Sequence, residues 1–192
     1  MHAHSHVRAI ASDAFGTLIS YGSARFNPYR RLFRAMREHG EQLPFLTRNV
    51  SAATFANELG LEHMADFERE LSDELAGLRL FDDVPNVLRR ARDAGLRLAV
   101  CSNLASEYGT AVRRLLPDLD AHILSYEVGA AKPEAAIYTA TCLALDCCPE
   151  GIIFVGDSRR CDFYGPQAFG MQARWLDRNG GQTLLNALQG VL

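Results

Sequence analysis

Several polar residues in this chain stand where apolar runs end. Asp13 follows the run "VRAIAS", Ser102 and Asn103 follow "LRLAVC", and Asp157 follows "IIFVG", with Asp162 five residues further on. An apolar run that closes on a carboxylate reads as a buried strand delivering an acid to the edge of a sheet. If those strand ends converge, Asp13, Asp157 and Asp162 place three negative charges in one cleft. The only lysine of the chain, Lys132 beside 19 arginines, would be their counter-charge. Carboxylates so close cannot all stay ionised without a cation, and a hard divalent ion with oxygen ligands is the natural partner. A lone lysine in an arginine-rich chain also suggests a task for a compact ammonium that a planar guanidinium cannot perform. Two residues after Asp13 stands Phe15, where a second acid would have made a nucleophile and proton-shuttle pair. Each residue also has a plainer reading: Asp13 as a turn residue, Ser102 and Asn103 as helix caps, Asp162 as a first-turn acid favouring a helix dipole.

The elements that would position these groups alternate. "DDVPNVLRRARDAG" has Val84, Val87, Leu88 and Ala91 at helical spacing, a candidate cap at Asp83, a proline in the first turn and Gly95 as a stop. Then come a strand "LRLAVCS", a helix over 105–116, a strand "AHILS", a helix over 133–145, a strand "IIFVGDS", a helix over 160–169, a strand "MQARW" and a helix from about Gln182. Such alternation implies a parallel sheet covered on both faces, with ligands at the carboxyl ends of its strands. Residues 21–80 break the rhythm. They carry no convincing strand, but show two apolar stripes, Tyr29, Leu32, Phe33 and Met36, then Met64, Phe67, Leu71, Leu75 and Leu78. That stretch reads as an all-helical insertion. Its charge is split, six arginines against two acids over 25–48 and seven acids against two arginines over 51–80, which fits salt bridges between its helices or an anion-binding surface.

Composition narrows the partners. At 192 residues and 48% hydrophobic, the chain can bury one substantial core plus a small insertion. A net charge of -3 offers no basic field for sequence-independent nucleic-acid binding. No apolar run approaches the ~18 residues of a membrane span. Five cysteines without a C-x-x-C pair, and no apolar leader, fit a reduced, cytoplasmic setting. Cys101, Cys142, Cys147, Cys148 and Cys161 read as structural, Tyr138 and Gly165 as helix packing. His2, His4 and His6 alternate at a terminus that lacks the fixed geometry of a metal site.

Taken together, "DAFGTL", "CSN", "GAAKPEAAIY" and "VGDSRRCDFYGPQAFGM" resemble, in order and spacing, the four motifs of the haloacid dehalogenase-like hydrolase superfamily. The resemblance implies an α/β fold with a Rossmann-like parallel sheet core over 1–20 and 81–192, and a small helical cap over 21–80 inserted after the first strand. It implies Asp13 as the nucleophile of a covalent aspartyl intermediate, with Ser102, Lys132 and Asp162 as its catalytic company. Thr17, Ser102, Asn103 and Lys132 would bind substrate or support its loops. Mg²⁺ would be held by Asp13, the Phe15 backbone carbonyl and Asp157, with Asp162 orienting its water. The partner would be a small phosphorylated molecule, and the chain a monomer or homodimer. Phe15 complicates this, because the phosphatases of that superfamily usually carry a second Asp there, and the haloalkanoate dehalogenases an aromatic. The dehalogenases in turn replace the residue matching Asp157 with serine and use no metal. The sequence is thus dehalogenase-like at its first motif and phosphatase-like at its fourth. It points first to a magnesium-dependent phosphatase, then to a 2-haloacid dehalogenase or a non-catalytic binding protein.

Overall fold

The computed structural model describes residues 7–22, 28–38, 45–58, 60 and 65–192. The histidines at positions 2, 4 and 6, Arg25 and Met64 lie outside the described residues. In chain order the elements are β1 (Ala9–Ser12), β2 (Ile19–Ser20), α1 (Tyr29–Glu38), α2 (Ala52–Glu58), α3 (Ala65–Gly77), β3 (Arg79–Leu80) and α4 (Val84–Asp93). They continue as β4 (Arg97–Ser102), α5 (Ser106–Leu115), β5 (Ala121–Leu124), the short α6 (Ser125–Val128) and α7 (Ala135–Leu145). The last are β6 (Ile152–Gly156), a π-helical turn (Arg159–Tyr164), α8 (Gly165–Phe169), β7 (Gln172–Trp175) and α9 (Leu184–Ala187). No helix among the described residues is long and apolar enough to cross a membrane.

Five strands form one parallel sheet in the order β5-β4-β1-β6-β7. From β1 the chain builds outward on one side through β4 and β5, then returns to build β6 and β7 on the other. The order reverses between β1 and β6, and crevices for ligands form at the carboxyl ends of strands at such a reversal. Asp13 and Asp157 follow those two strands.

The central strands are apolar runs because both sheet faces are covered. Successive side chains point to opposite faces. Ile10, Leu98, Val100, Ile153 and Val155 pack on one side with residues of α4, α5 and α9. Ala9, Ala11, Ala99, Cys101 and Phe154 pack on the other against Ile137 and Tyr138 of α7. The small residues of that second face make room for the fully buried Tyr138, whose hydroxyl donates to the Cys161 carbonyl at 2.7 Å. Tyr138 and Gly165 are packing residues here: a Cβ on Gly165 would lie 2.3 Å from the Tyr138 hydroxyl.

Three expectations need correction. Residues 21–80 do contain a strand: β3 pairs antiparallel with β2, Ile19 opposite Leu80 and Ser20 opposite Arg79, and α1 to α3 lie between them. Two-residue strands are too short to show a period. Asp83 stands at the N-terminus of α4 but makes no side-chain cap; its carboxylate accepts from Arg178 at 2.8 Å and from the Leu184 N–H at 2.6 Å. The C-terminal helix is only α9, capped by a reciprocal Thr183–Asn186 pair.

The inserted helices are fastened to α5. Glu107 accepts from the Tyr29 hydroxyl and from the Ala52 N–H, while the Ser106 hydroxyl donates to the Val50 carbonyl at 2.8 Å. The next residue, Tyr108, donates its hydroxyl to Glu74 of α3 at 2.7 Å. Tyr29, Leu32, Phe67 and Leu71 from the two apolar stripes are buried, whereas Phe33 is 40% exposed. Arg48–Glu58 and Arg69–Asp66 pair at 2.9 Å; the first ties the loop before α2 to the end of that helix and the second lies within α3, so neither is the helix-to-helix bridge expected of the split charge.

Candidate active site

Asp13 leaves β1 with its N–H still bonded to the Val155 carbonyl at 2.9 Å. The chain then turns sharply, since Leu18 and Ile19 both donate to the Ala14 carbonyl. Gly16 makes the turn possible: its φ is +76°, and a Cβ there would stand 2.4 Å from Asp157 Oδ2. Glycine is therefore required twice over, for a left-handed backbone and for the approach of a carboxylate.

Lys132 lies between α6 and α7 and is nearly inaccessible. Its Nζ donates to Asp13 Oδ1 at 2.7 Å and to Asp162 Oδ1 at 2.6 Å. Asn103 fixes the lysine backbone from both sides, accepting the Lys132 N–H at 2.7 Å and donating to the Lys132 carbonyl at 2.8 Å. Neither Ser102 nor Asn103 caps α5, whose N-cap is Ala105. Asp162, 1% exposed, is held in the π-helical turn by the Ser158 N–H on its Oδ2 at 2.9 Å. Gly156 leaves space for it, since a Cβ there would meet Asp162 Cγ at 2.5 Å. Asp157 is exposed, with its carbonyl anchored by the Trp175 indole N–H at 2.8 Å.

The expected acids do meet: one carboxylate oxygen each from Asp13, Asp157 and Asp162 lie within 4.8 Å of one another. Burial, and then the Asp13 charge, push the Asp162 carboxyl up to about 6. Asp157, open to solvent on one side only, is raised by its partial burial and then by the Asp13 charge. Burial alone would lower the Lys132 ammonium, but Asp13 and Asp162 outweigh it and hold the lysine well above its usual value. One fixed positive charge thus faces three carboxylates, two of which resist ionisation. This surplus of negative charge and oxygen donors suits a hard divalent cation such as Mg²⁺.

Ser102, at the end of β4, is 1% exposed. Thr17 is fully buried, and its Oγ1 has no hydrogen-bond partner among the described residues. It lies under the loop rather than on an open wall, which suits support more than substrate contact. Its carbonyl accepts from Arg178 Nη2 at 2.7 Å. Phe15 stacks on Tyr21 with centroids 4.9 Å apart and meets Tyr108 edge-on at 5.4 Å. The cysteines are free, and burial pushes Cys101 and Cys142 up to about 11, as unreactive thiols.

Sequence reasoning missed a cavity of about 170 Å³ beside this cluster, lined by the rings of Phe15, Tyr21, Tyr29, Phe33, Phe45 and Tyr108. Glu74 and Asn103 are the polar groups on its wall besides the tyrosine hydroxyls. The stripe containing Tyr29 and Phe33 was the only signal. Nothing in the acidic run marked Glu74, and nothing announced that Arg178 would reach Thr17.

Comparison with known proteins identifies the family. The family model described as haloacid dehalogenase-like hydrolase matches residues 7–170. The (S)-2-haloacid dehalogenase of Pseudomonas sp. (strain YL) is 34% identical over an alignment 201 positions long, covering 91% of this chain and 84% of that enzyme. Haloacetate dehalogenase H-2 of Moraxella sp. (strain B) is 29% identical over 145 residues, 73% of this chain and 64% of that enzyme's length. Among solved structures, a HAD phosphatase from Thermococcus onnurineus superposes with a TM-score of 0.64 at 25% identity, covering 93% of this chain and 90% of its own. The parallel sheet, the acids at its strand ends and the match over most of the chain make this protein a member of the haloacid dehalogenase-like hydrolase family.

Proposed function

We propose that this hydrolase is a magnesium-dependent phosphatase of small phosphate esters or acyl phosphates, acting through an aspartyl-phosphate on Asp13. The observation that carries the reading is Asp157, whose carboxylate joins those of Asp13 and Asp162 within 4.8 Å. A third acid in a cleft that must receive an anion is a liability unless a cation neutralises it. Asp13 and Asp157, with the Phe15 carbonyl, would hold Mg²⁺, which would offset phosphoryl charge and polarise the phosphorus.

In this reading Lys132 holds the nucleophile, with Ser102 on the transferring oxygens. An Asp13 oxygen forms a bond to phosphorus as the bond to the leaving oxygen breaks, and the leaving group departs with the electron pair. Phe15 offers no proton, so the leaving group must be stable as an anion or be protonated by solvent. Water then attacks phosphorus, giving up a proton to solvent, as the bond from phosphorus to the Asp13 oxygen breaks, releasing phosphate and restoring the Asp13 carboxylate. Acetyl phosphate and p-nitrophenyl phosphate, with Mg²⁺ or EDTA, test the proposal. Phosphate release that needs Mg²⁺ and vanishes in Asp13→Asn is expected; no release from either compound would refute it.

A second reading rests on Phe15. An aromatic residue there suits attack of Asp13 on a carbon bearing halogen, because halide leaves without a proton. Halide release from 2-chloropropionate in EDTA would establish it in place of the first.

A further inference from the structure

We propose that the aromatic cavity beside Asp13 receives the ring of a phenol bearing a second hydrogen-bond donor, so that the preferred substrates are aryl phosphate monoesters of this kind. The inference rests on the phosphatase reading and adds the identity of the leaving group. Two independent observations lead to it.

The first is the wall. Phe15 and Tyr21 stack almost parallel, 18° apart, and Tyr29 stacks on Phe45 with centroids separated by 5.5 Å. Phe33 adds an edge against Phe45 at 4.8 Å. The cavity of about 170 Å³ that these rings line suits a flat ring, which meets aromatic faces or edges favourably. A sugar would need partners for several hydroxyl groups, whereas the wall's polar groups besides the tyrosine hydroxyls are Glu74 and Asn103; a ring with one hydroxyl needs one partner. A second anionic group would meet Glu74, and no lysine or arginine lines the cavity among the described residues to receive it.

The second observation is the lack of an acid at position 15. A leaving group that receives no proton departs in order of its stability as an anion. A phenol, with a pKa of ~10 like tyrosine, leaves far more readily than an alkyl alcohol close to water's ~16. The residue that removes the proton donor is the same one that supplies an aromatic wall.

Glu74 supplies the remaining selectivity. It is 3% exposed, and among the hydrogen bonds it could accept, that from Tyr108 is one. A carboxyl group has about four lone-pair sites, leaving acceptor capacity for a hydroxyl on the far side of a bound ring. Burial raises the Glu74 carboxyl and the Tyr108 bond opposes this, so the group is short of stabilisation that a donor would provide.

The test compares kcat/KM with Mg²⁺ for 4-hydroxyphenyl, phenyl and trifluoroethyl phosphates, with acetyl phosphate as a control lacking a ring. Phenyl phosphate should exceed trifluoroethyl phosphate, and the added hydroxyl should gain up to ~10-fold more, mainly in KM, as expected of a hydrogen bond to a carboxylate. Glu74→Leu should erase that last gain. In addition, hydroquinone alone should bind the wild-type protein in calorimetry, a readout that needs no turnover. Turnover of acetyl phosphate with no preference for rings would overturn this inference and leave the phosphatase reading intact. Failure of every phosphate to react would overturn the phosphatase reading, and absence of hydroquinone binding would dispose of the cavity assignment.

Discussion

Asp162→Asn separates the energetic cost of the acidic cluster from its chemistry. Asp162 is 1% exposed, and its carboxyl is pushed up to about 6 by burial and by Asp13. An unfolded aspartate titrates near ~3.9. The folded protein therefore binds the extra proton between these values, so stability from this group is complete below pH ~4 and is lost as pH rises through ~6. A difference of about two pK units is worth ~3 kcal/mol at ~1.4 kcal/mol each. Asparagine resembles the neutral acid and still offers an oxygen to the Ser158 N–H. Denaturant unfolding in EDTA should find the variant ahead by only ~1 kcal/mol at pH 4.5, its lead growing to ~3 kcal/mol at pH 8. Adding Mg²⁺ at 100 times its dissociation constant should return ~2.7 kcal/mol to the wild type at pH 8. A stability difference that stays flat from pH 4.5 to 8 would refute the claim that Asp162 is strained by its neighbours.

Other substitutions probe separate parts of the site. Asp157→Asn should weaken Mg²⁺ binding by ~10-fold or more in calorimetry, because one hard carboxylate ligand is lost; unchanged affinity would remove Asp157 from the ligand set. Lys132→Met should cost ~3–5 kcal/mol of stability, since it strands two buried carboxylates, and a variant that melts with the wild type would contradict the ion pairs at 2.7 and 2.6 Å. Gly16→Ala should lose ~1–2 kcal/mol for its left-handed backbone and also weaken Mg²⁺ binding, because its Cβ meets Asp157 Oδ2; metal affinity equal to wild type would show that the close approach is immaterial. Tyr108→Phe should cost ~1–3 kcal/mol by leaving Glu74 without its donor, and chemical denaturation would reveal a neutral substitution at once.

How far the sequence could be read depended on the range of the interaction. β1, β4 and β6 were legible because burial on both faces writes a continuous apolar run, and the acids at their ends were legible because each breaks such a run. The boundaries of α4 followed from Pro85 and Gly95, both local signals. Asp83 misled for the same reason: locally it is a good cap, yet Arg178 and Leu184, 95 and 101 residues away, claim its carboxylate. The reciprocal bonds of Asn103 to the Lys132 backbone span 29 residues, and those of Arg178 to Thr17 span 161. Neither leaves a periodic trace. Glu74 sits in an acidic helix beside exposed Asp66, Glu68 and Asp73 and buried Glu70, and only the fold turns it against Tyr108.

Position 15 joins the two halves of the site. An acid there would add a fourth carboxylate to a cleft where Asp13, Asp157 and Asp162 already outnumber Lys132, and where two of the three are already harder to ionise than usual. It would also remove the ring that stacks on Tyr21 and meets Tyr108, opening the wall nearest Asp13. Phenylalanine relieves the charge and completes the cavity, but it leaves the chemistry without a side-chain proton donor at that point. Under the phosphatase proposal, the rate would then depend on the leaving group. In the proposed phosphatase, specificity would then be bound up with mechanism, because a ring held by the aromatic walls would also disperse the charge on the departing oxygen.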